Sequence, residues 1–257
     1  MSSRLILLPG TLCDRRLFAA VARRLRPSVS VRVARWRELL GAQAPEWWQG
    51  GRAINLLGFS LGGIWALQQL GRQPAQGPGR TLCGAWVGQP TIERLALVGS
   101  NAEAAGPAHQ RRSREQQRLL RRQGTAAVAR AAKAQYFAVR PPRWQARLVV
   151  DMARRTPAAV ARKQLRLAAS RADGLHAFAA FPGPVAVMSG LQDRLCSPRQ
   201  QRRLQSVRQD AYTQAWDRCG HMIPLEAPGR LALAIQRWLA QAPVLESRSA
   251  TPGVSMR

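Results

Sequence analysis

Residues 54–67 read INLLGFSLGGIWAL, and the fold prediction starts from this stretch. A short apolar run typical of a buried strand leads into Gly-x-Ser-x-Gly, and an apolar helical pattern follows it. Gly58 and Gly62 lack the Cβ atoms that would collide in a sharp turn between strand and helix. Such a turn presents its serine at the end of the strand, so Ser60 is a candidate nucleophile. The alternative is a glycine-rich turn with an incidental serine, and the flanking strand and helix argue against it.

The rest of the chain repeats this alternation of short apolar runs and helical patterns. It indicates a mainly parallel sheet with helices on both faces, which is the α/β class. We predict about six strands, at residues 5–8, 29–33, 54–57, 95–98, 185–188 and 211–215. Helices are predicted at residues 16–25, 62–70, 199–207 and 228–240.

One long helical stretch, residues 101–180, lies between the fourth and fifth predicted strands, and we call it the lid segment. Its proline and threonine positions predict about four helices, which begin near Pro107, Thr125, Pro141 and Thr156. We expect an inserted helical lid that covers the site, while residues 1–100 and 181–241 form the core. Residues 72–90 indicate an irregular surface insertion, and residues 242–257 indicate a disordered tail.

Two further candidates follow Ser60 in the order that a serine nucleophile of this kind requires, first an acid and then a histidine. Asp193 follows the fifth predicted strand and is the only acidic residue between Asp173 and Asp210. His221 lies between the last predicted strand and the last helix. Catalytic groups of open parallel sheets collect at the carboxyl ends of the strands. We therefore predict that Asp193 orients His221, the base, although a turn-forming aspartate and a structural histidine are the alternatives.

The loop after the first strand reads LPGTLC (residues 8–13) and supplies a candidate anion site. Acyl transfer creates an oxyanion that backbone N–H groups stabilise. We predict that Leu61, the residue after the nucleophile, provides one N–H group and that Thr11 provides the other. Leu12 is the second choice for that donor and is expected to contact the substrate. Taken alone, the loop is also consistent with an ordinary tight turn.

The charge is the unusual feature of the composition. The chain has 40 Lys and Arg residues against 13 acidic residues, which gives a net charge of +27. The lid segment has 17 basic and four acidic residues, so it supplies +13 of that charge. A field this positive attracts acidic partners. Arginine-biased codon usage explains the scarcity of lysine better than it explains the scarcity of acids.

Several classes of protein are disfavoured by the rest of the composition. The four cysteines show no metal-ligand spacing and there are three histidines, so we predict buried thiols, no metal and no cofactor. The apolar runs are too short to cross a membrane, and the N-terminal run is too short for a signal peptide. We therefore expect a cytoplasmic protein without a membrane partner. No nucleic-acid-binding motif is present, so nucleic acid is not an expected partner.

Taken together, the segments around Gly10, Ser60, Asp193 and His221 resemble the α/β-hydrolase superfamily over residues 4–241. The Gly-Phe-Ser-Leu-Gly-Gly turn, a Gly-x-x-Asp-x-x-x-x-Pro stretch from residue 190 and Gly-His-x-x-Pro from residue 220 match its pattern. The chain begins at what resembles the third strand of the superfamily. The resemblance implies a serine hydrolase that cleaves a carboxylic ester through an acyl-enzyme.

Within the superfamily, the size and the helical lid are similar to those of small esterases, including the pimeloyl-acyl-carrier-protein methyl ester esterases of biotin synthesis. Those enzymes act on an acidic carrier protein, so the expected partner is a small-molecule or carrier-bound acyl ester. Arg118 and Arg122 of the lid segment are predicted to contact it. A thioesterase, an acyltransferase and a C–C hydrolase with the same triad remain alternatives. A non-catalytic basic binding protein is a further alternative, which only the charge supports.

Overall fold

The computed structural model describes residues 4–49, 53–71 and 90–241. The predicted tail and nearly all of the predicted insertion at residues 72–90 lie outside the described residues. The described part of the chain forms a six-stranded sheet of parallel strands in the order β2-β1-β3-β4-β5-β6. The strands are β1 (Arg4–Leu8), β2 (Ser30–Val33), β3 (Ile54–Phe59), β4 (Ile92–Val98), β5 (Val185–Gly190) and β6 (Tyr212–Trp216). The prediction of about six mainly parallel strands is confirmed, with strand ends that differ by up to three residues.

Helices connect these strands. They are α1 (Ala19–Leu25), α2 (Trp36–Leu39), α3 (Leu61–Leu70), α4 (Pro107–Gln123), α5 (Thr125–Ala132), α6 (Arg143–Arg154), α7 (Ala158–Ala169), α8 (Leu175–Ala179), α9 (Pro198–Val207), α10 (Ile223–Glu226) and α11 (Pro228–Leu239). The helix predicted at residues 16–25 is in fact a 3-10 turn, Arg15–Phe18, followed by α1. The Asp14 side chain accepts the N–H of Arg16 and so caps the chain one turn before the α-helix begins.

The central strands are covered on both faces. Every residue of β3 and β5 is buried, as expected for parallel strands between two helical layers. Alternate residues of β1 belong to different apolar clusters: Leu5 shares one with Phe18, and Ile6 shares the other with Trp65. This period of two fixes which side chains face each layer.

Between β4 and β5 the structure has five α-helices, α4 to α8, where about four were predicted. The helix predicted to begin near Thr125 ends at Ala132, and a short 3-10 turn follows it. The additional helix is the short α8. Helix α4 packs against α5 and α7, and α5 packs against α6. The division of the chain into a core and a lid segment with the boundaries given above stays a prediction. Within the described ranges, no helix has both the length and the hydropathy needed to cross a membrane.

Candidate active site

Ser60 lies in the sharp turn between β3 and α3. Its φ is +51°, in the left-handed region that a residue with a side chain rarely adopts. The Ser60 N–H donates to the carbonyl of Val98, and the Ser60 carbonyl accepts the N–H groups of Gly63 and Ile64. A Cβ on Gly62 would lie 2.4 Å from the Leu8 carbonyl oxygen. Glycine is therefore required where the turn crosses β1, as the sequence pattern predicts.

The structure brings Ser60, His221 and Asp193 together at the carboxyl ends of β3, β5 and β6. The Ser60 Oγ is 2.9 Å from His221 Nε2, and His221 Nδ1 is 2.8 Å from Asp193 Oδ2. Asp193 and His221 are 4% and 3% exposed, so water competes little for these bonds. Since a carboxylate only accepts hydrogen bonds, Nδ1 carries the ring proton and Nε2 is left to accept from the serine.

The loop after β5 holds the Asp193 carboxylate in a fixed orientation. Its Oδ1 accepts the N–H groups of Leu195 and Cys196, at 2.8 and 2.9 Å. Its Oδ2 is left to face His221. The two oxygens have different partners because the loop turns tightly here. In the sequence, the Cys-Ser-Pro stretch at the start of α9 indicates where this turn ends.

Glu226 was not identified from the sequence, although it holds the loop that carries His221. Both of its carboxylate oxygens accept the N–H of Gly220, and Oε2 also accepts the N–H of Ala138 from the lid segment. Burial raises the pKa of the Glu226 carboxyl, and the backbone N–H donors oppose that rise. The only signal in the sequence was an acid five residues after the histidine, which is common at the start of a helix.

Two aromatic rings enclose the histidine. The Phe59 ring centroid is 5.1 Å from that of His221, and the Tyr136 ring stacks on it at 6.3 Å. Burial raises the pKa of the Tyr136 hydroxyl, so that group stays protonated and neutral. The rings limit the rotation of the imidazole and exclude water from it.

Of the predicted oxyanion donors, Leu61 and Thr11 have backbone N–H groups with no acceptor among the described residues. Leu12, the second choice, already donates its N–H to Gln164 Oε1 at 2.9 Å. Leu12 is therefore committed to a protein acceptor, and in this loop Thr11 is the available donor. Gln164 comes from α7 and was not identified from the sequence, where a glutamine on the apolar face of a helix was its only signal.

A cavity that is open to solvent lies beside the serine. Its lining includes Thr11, Leu12, Ser60 and His221 from the core. The lid segment contributes four apolar side chains, together with Arg112 and Gln116 of α4 and Gln135 and Tyr136. Leu12 lies where substrate contact was predicted.

The predicted substrate contacts Arg118 and Arg122 do not line this cavity. Both side chains are exposed on α4, and the arginine of this helix that lines the cavity is Arg112. The reason is helical geometry, because Arg112 and Gln116 are four residues apart and share one face. Arg118 follows Gln116 by two residues and points to another face.

In the part of the chain that the structure describes, one group of side chains has the composition of a metal site. Asp193, Cys196 and His221 each place a potential ligand atom within 4.8 Å of the others. Both ring nitrogens of His221 already face Ser60 and Asp193, and burial holds the pKa of the Cys196 thiol well above its ordinary value. A metal would need the thiolate, so the arrangement fits proton transfer better than metal binding.

Burial is common to the three thiols that the structure describes. Cys13, Cys196 and Cys219 are free and buried, as predicted, whereas Cys83 is outside the described residues. Burial raises the pKa of both Cys13 and Cys219 to about 12. These thiols therefore stay protonated near neutral pH.

A parallel sheet with a serine, a histidine and an aspartate at its carboxyl edge defines a class of hydrolases. Residues 6–234 match the model of the alpha/beta hydrolase family, and the chain belongs to that family. The prediction of an α/β-hydrolase fold is thereby confirmed. No curated protein has a sequence that matches this chain.

Several solved structures share the fold. A thermophilic esterase from Thermogutta terrifontis is 20% identical with a TM-score of 0.74, over 93% of this chain and 90% of that chain. The esterase EaEST from Exiguobacterium antarcticum is 13% identical with a TM-score of 0.72, over 93% of each chain. An enol-lactonase from Burkholderia xenovorans LB400 is 18% identical with a TM-score of 0.70, over 94% of this chain and 93% of that chain. At these identities the likeness concerns the fold.

Proposed function

We propose that the protein hydrolyses a carboxylic ester through an acyl-enzyme formed on Ser60. The observation that carries the proposal is the continuous hydrogen-bonded chain from Ser60 through His221 to Asp193 at the cavity. The N–H groups of Thr11 and Leu61, which have no acceptor among the described residues, support it. Two of the structures that share the fold are esterases, and a third is an enol-lactonase. All three names describe enzymes that act on an ester or a lactone.

In the first half of the reaction, His221 Nε2 takes the Ser60 hydroxyl proton while Oγ attacks the ester carbonyl carbon. The carbonyl oxygen becomes an oxyanion that accepts hydrogen bonds from the N–H groups of Leu61 and Thr11. The tetrahedral species then expels the alcohol, which takes its proton from the His221 imidazolium. Ser60 is left as an acyl ester.

The second half repeats these steps with water as the nucleophile. His221 Nε2 accepts a proton from water, and the resulting oxygen attacks the acyl carbon. Collapse of the second tetrahedral species returns the proton to Ser60 and releases the carboxylic acid. Asp193 does not take the proton in this scheme; its carboxylate stabilises the imidazolium and keeps Nε2 directed at Ser60.

The finer part of the proposal concerns the substrate, for which we favour an anionic or carrier-bound acyl ester, such as a methyl ester on acyl carrier protein. Arg112 lines the cavity, and no acidic side chain does so within the described part of the chain. Arg112 also has no ion pair among the described residues. Further exposed arginines follow on α4, which suits an acidic partner such as the carrier.

A fluorophosphonate probe and p-nitrophenyl esters of graded chain length test the proposal. We expect the wild-type protein to be labelled at Ser60 and to hydrolyse the esters, because the imidazole activates the hydroxyl. Ser60→Ala should lose both properties while keeping its circular dichroism spectrum. Stoichiometric labelling of Ser60→Ala would show that another residue is the nucleophile. An unreactive, correctly folded wild type would favour the non-catalytic basic binding protein.

Matched ester and thioester substrates, each with an alcohol acceptor added in parallel, separate the alternatives that use the same triad. Faster cleavage of the thioester would favour a thioesterase, and transfer to the alcohol would favour an acyltransferase. Cleavage of a β-diketone in preference to both would favour a C–C hydrolase.

A further inference from the structure

The lid segment touches the loop that carries His221. Residues 136–138, which we call the strap, run beside residues 220–222, which we call the histidine loop. The Met222 N–H donates to the Tyr136 carbonyl at 2.9 Å. Since this N–H belongs to the peptide that follows His221, the strap holds the backbone on the carboxyl side of the histidine.

Glu226 joins the strap to the histidine loop at a second point. A Cβ on Gly220 would lie 2.5 Å from the Ala138 nitrogen, so the two backbones are in close contact. Both residues direct an N–H group at Glu226: Oε2 accepts from Ala138 at 2.8 Å, and both oxygens accept from Gly220, at 3.0 and 3.1 Å. Two N–H donors cannot bond to each other, so this contact needs an acceptor. Because Gly220 precedes His221, the carboxylate holds the backbone on the amino side of the histidine.

A carboxylate suits this position because it has two oxygens and no donor. An amide of the same size would place its NH2 group against one of the two N–H donors. Burial raises the pKa of the Glu226 carboxyl, and the backbone N–H donors and the nearby His221 lower it. A partly buried charge is costly unless it is hydrogen-bonded, so these bonds compensate for keeping the charge here.

The charge of Glu226 also acts on the base. His221 becomes an imidazolium when it takes the Ser60 proton, and the attraction between it and a nearby carboxylate works on both groups. Glu226 is thus a second carboxylate near the ring, besides Asp193, which bonds the ring directly. Other titratable groups pack around the ring and the carboxylates, namely Tyr136, Cys196 and Cys219, which burial keeps neutral, and the exposed Arg230. Loss of the Glu226 charge should therefore make the imidazolium less stable.

We propose that Glu226 is a positioning residue for His221, which joins the strap to the histidine loop and places a second negative charge near the imidazolium. The inference rests on the proposed function, in which His221 is the base. It gives the lid segment a part in the chemistry besides enclosing the cavity. The Tyr136 ring that stacks on His221 belongs to the same strap, so the bridge also keeps that ring in place.

The test measures kcat and kcat/KM for a p-nitrophenyl ester from pH about 5 to about 9. Glu226→Gln keeps the size of the side chain but removes the charge and one of the two acceptors. We expect kcat to fall roughly 10-fold or more, because the base is less well held and its imidazolium less stable. The acid side of the kcat/KM profile should move to lower pH, by roughly half a pH unit or more.

Glu226→Asp separates the bridge from the charge. Aspartate keeps the negative charge, but its side chain is one methylene shorter and cannot reach both N–H donors. We expect kcat to fall, while the acid side of the profile moves less than in Glu226→Gln. This variant also keeps the proposal testable should Glu226→Gln not fold.

Gln145→Met is the matched control. The buried Gln145 of α6 donates its Nε2–H to the Leu225 carbonyl at 2.9 Å, so it also joins the lid segment to α10. It carries no charge and does not bond the histidine loop. We expect this variant to lose some thermal stability and to keep the kcat and the pH profile of the wild type.

An unmoved pH profile in Glu226→Gln would overturn the proposal, because a purely structural role lowers stability without moving that profile. Losses of kcat that are matched by Gln145→Met would also overturn it, since they would show a general effect of lid docking. Wild-type kcat in Glu226→Asp would contradict the need for the bridge. Failure of the proposed function would be recognised separately, as a wild-type protein that is neither labelled at Ser60 nor active.

Discussion

At the scale of single residues, the site depends on how each side chain or N–H group is shared between partners. Asp193 divides its two oxygens between the loop backbone and His221. Leu12 gives its N–H to Gln164, whereas the Thr11 N–H has no acceptor among the described residues. The chemistry follows from these divisions, because a group that is already bonded cannot serve the substrate as well.

The role of Asp193 is testable by replacing it with Asn. An amide can present its NH2 to His221 and stabilise the wrong tautomer, so we expect kcat to fall by on the order of 10⁴-fold with little change in fold. The measurement is kcat and KM on a p-nitrophenyl ester. Asp217→Asn is the control, since Asp217 is an exposed acid near the same loop that bonds Gln192 rather than His221. Near wild-type activity in Asp193→Asn would require another orienting acid.

Glu226 gives stability a distinctive dependence on pH. Because burial raises the pKa of its carboxyl above the ordinary value of 4.5, the unfolded chain releases this proton at a lower pH than the folded chain. The contribution of Glu226 to stability is thus fully present below the unfolded pKa. It is lost as the pH rises through the folded pKa. Between these limits, the free energy of unfolding of the wild type relative to Glu226→Gln should decrease.

Urea unfolding of both proteins, at a series of pH values from about 4 to about 7, measures that difference. Taking the difference cancels the pH dependence that comes from acids whose pKa is lowered by arginine, such as Asp14 and Asp210, since both proteins contain them. A difference that increased with pH would show that the N–H donors outweigh burial at this carboxyl.

At the scale of elements, the turn between β3 and α3 works because glycines allow three backbones to meet. A Cβ on Gly58 would lie 2.4 Å from the Gly63 nitrogen, and one on Gly63 would lie 2.3 Å from Ser100 Oγ. The Ser100 hydroxyl in turn donates to the Ser60 carbonyl. The close packing fixes where α3 begins and hence where the Leu61 N–H points.

We expect Gly62→Ala to destabilise the protein by more than about 2 kcal/mol, because the new Cβ would collide with the backbone of β1, which has no room to move. Gly71→Ala, at the end of the same helix, is the control. Its Cβ would meet nothing closer than 3.4 Å, and its φ of −69° suits alanine, so a change within about 0.5 kcal/mol is expected. Thermal unfolding of both variants makes the comparison, and equal losses would refute this account of the turn.

At the scale of the whole molecule, the net charge is +27, and many arginines of the described residues are exposed and lie outside the ion pairs found there. The arginines at 111, 112, 114, 118, 121 and 122 are all exposed on α4. Only Arg112 among them lines the cavity. The charge can therefore act in two ways, on the substrate inside the cavity and on a partner approaching α4.

Steering of an acidic carrier by α4 predicts a marked dependence on salt. Raising the ionic strength shortens the Debye length to about 8 Å at physiological salt, so kcat/KM for a carrier-bound ester should fall while that for a small neutral ester stays flat. Replacing Arg118 and Arg122 by Glu should lower the carrier rate at low salt and leave the neutral ester unaffected. Arg112→Gln is the comparison inside the cavity, and it should slow small anionic esters. Flat profiles for both substrates would leave the surface charge without a part in the reaction.

Much of the fold was predictable because local patterns decide it. Apolar runs mark the four inner strands, and the Gly-x-Ser-x-Gly turn specifies a conformation that few other residues tolerate. Ser60, Asp193 and His221 then each follow a strand of the parallel sheet, namely β3, β5 and β6, so they are expected at the same edge. The sequence also predicted Thr11 and Leu12 as alternatives, because both lie in the same turn and local patterns do not distinguish their N–H groups.

Only the tertiary structure decided which of these neighbours is free and which arginine faces the cavity. Gln164 is separated from Leu12 by 152 residues, and Glu226 reaches Ala138 across 88 residues. Such contacts depend on how α7 and the other helices between β4 and β5 pack over the sheet. Hydrophobic periodicity in the sequence shows which face of a helix is buried, but not which partner that face meets. Arg112 was missed for the same reason, since its place in the cavity depends on the rotation of α4 against α7.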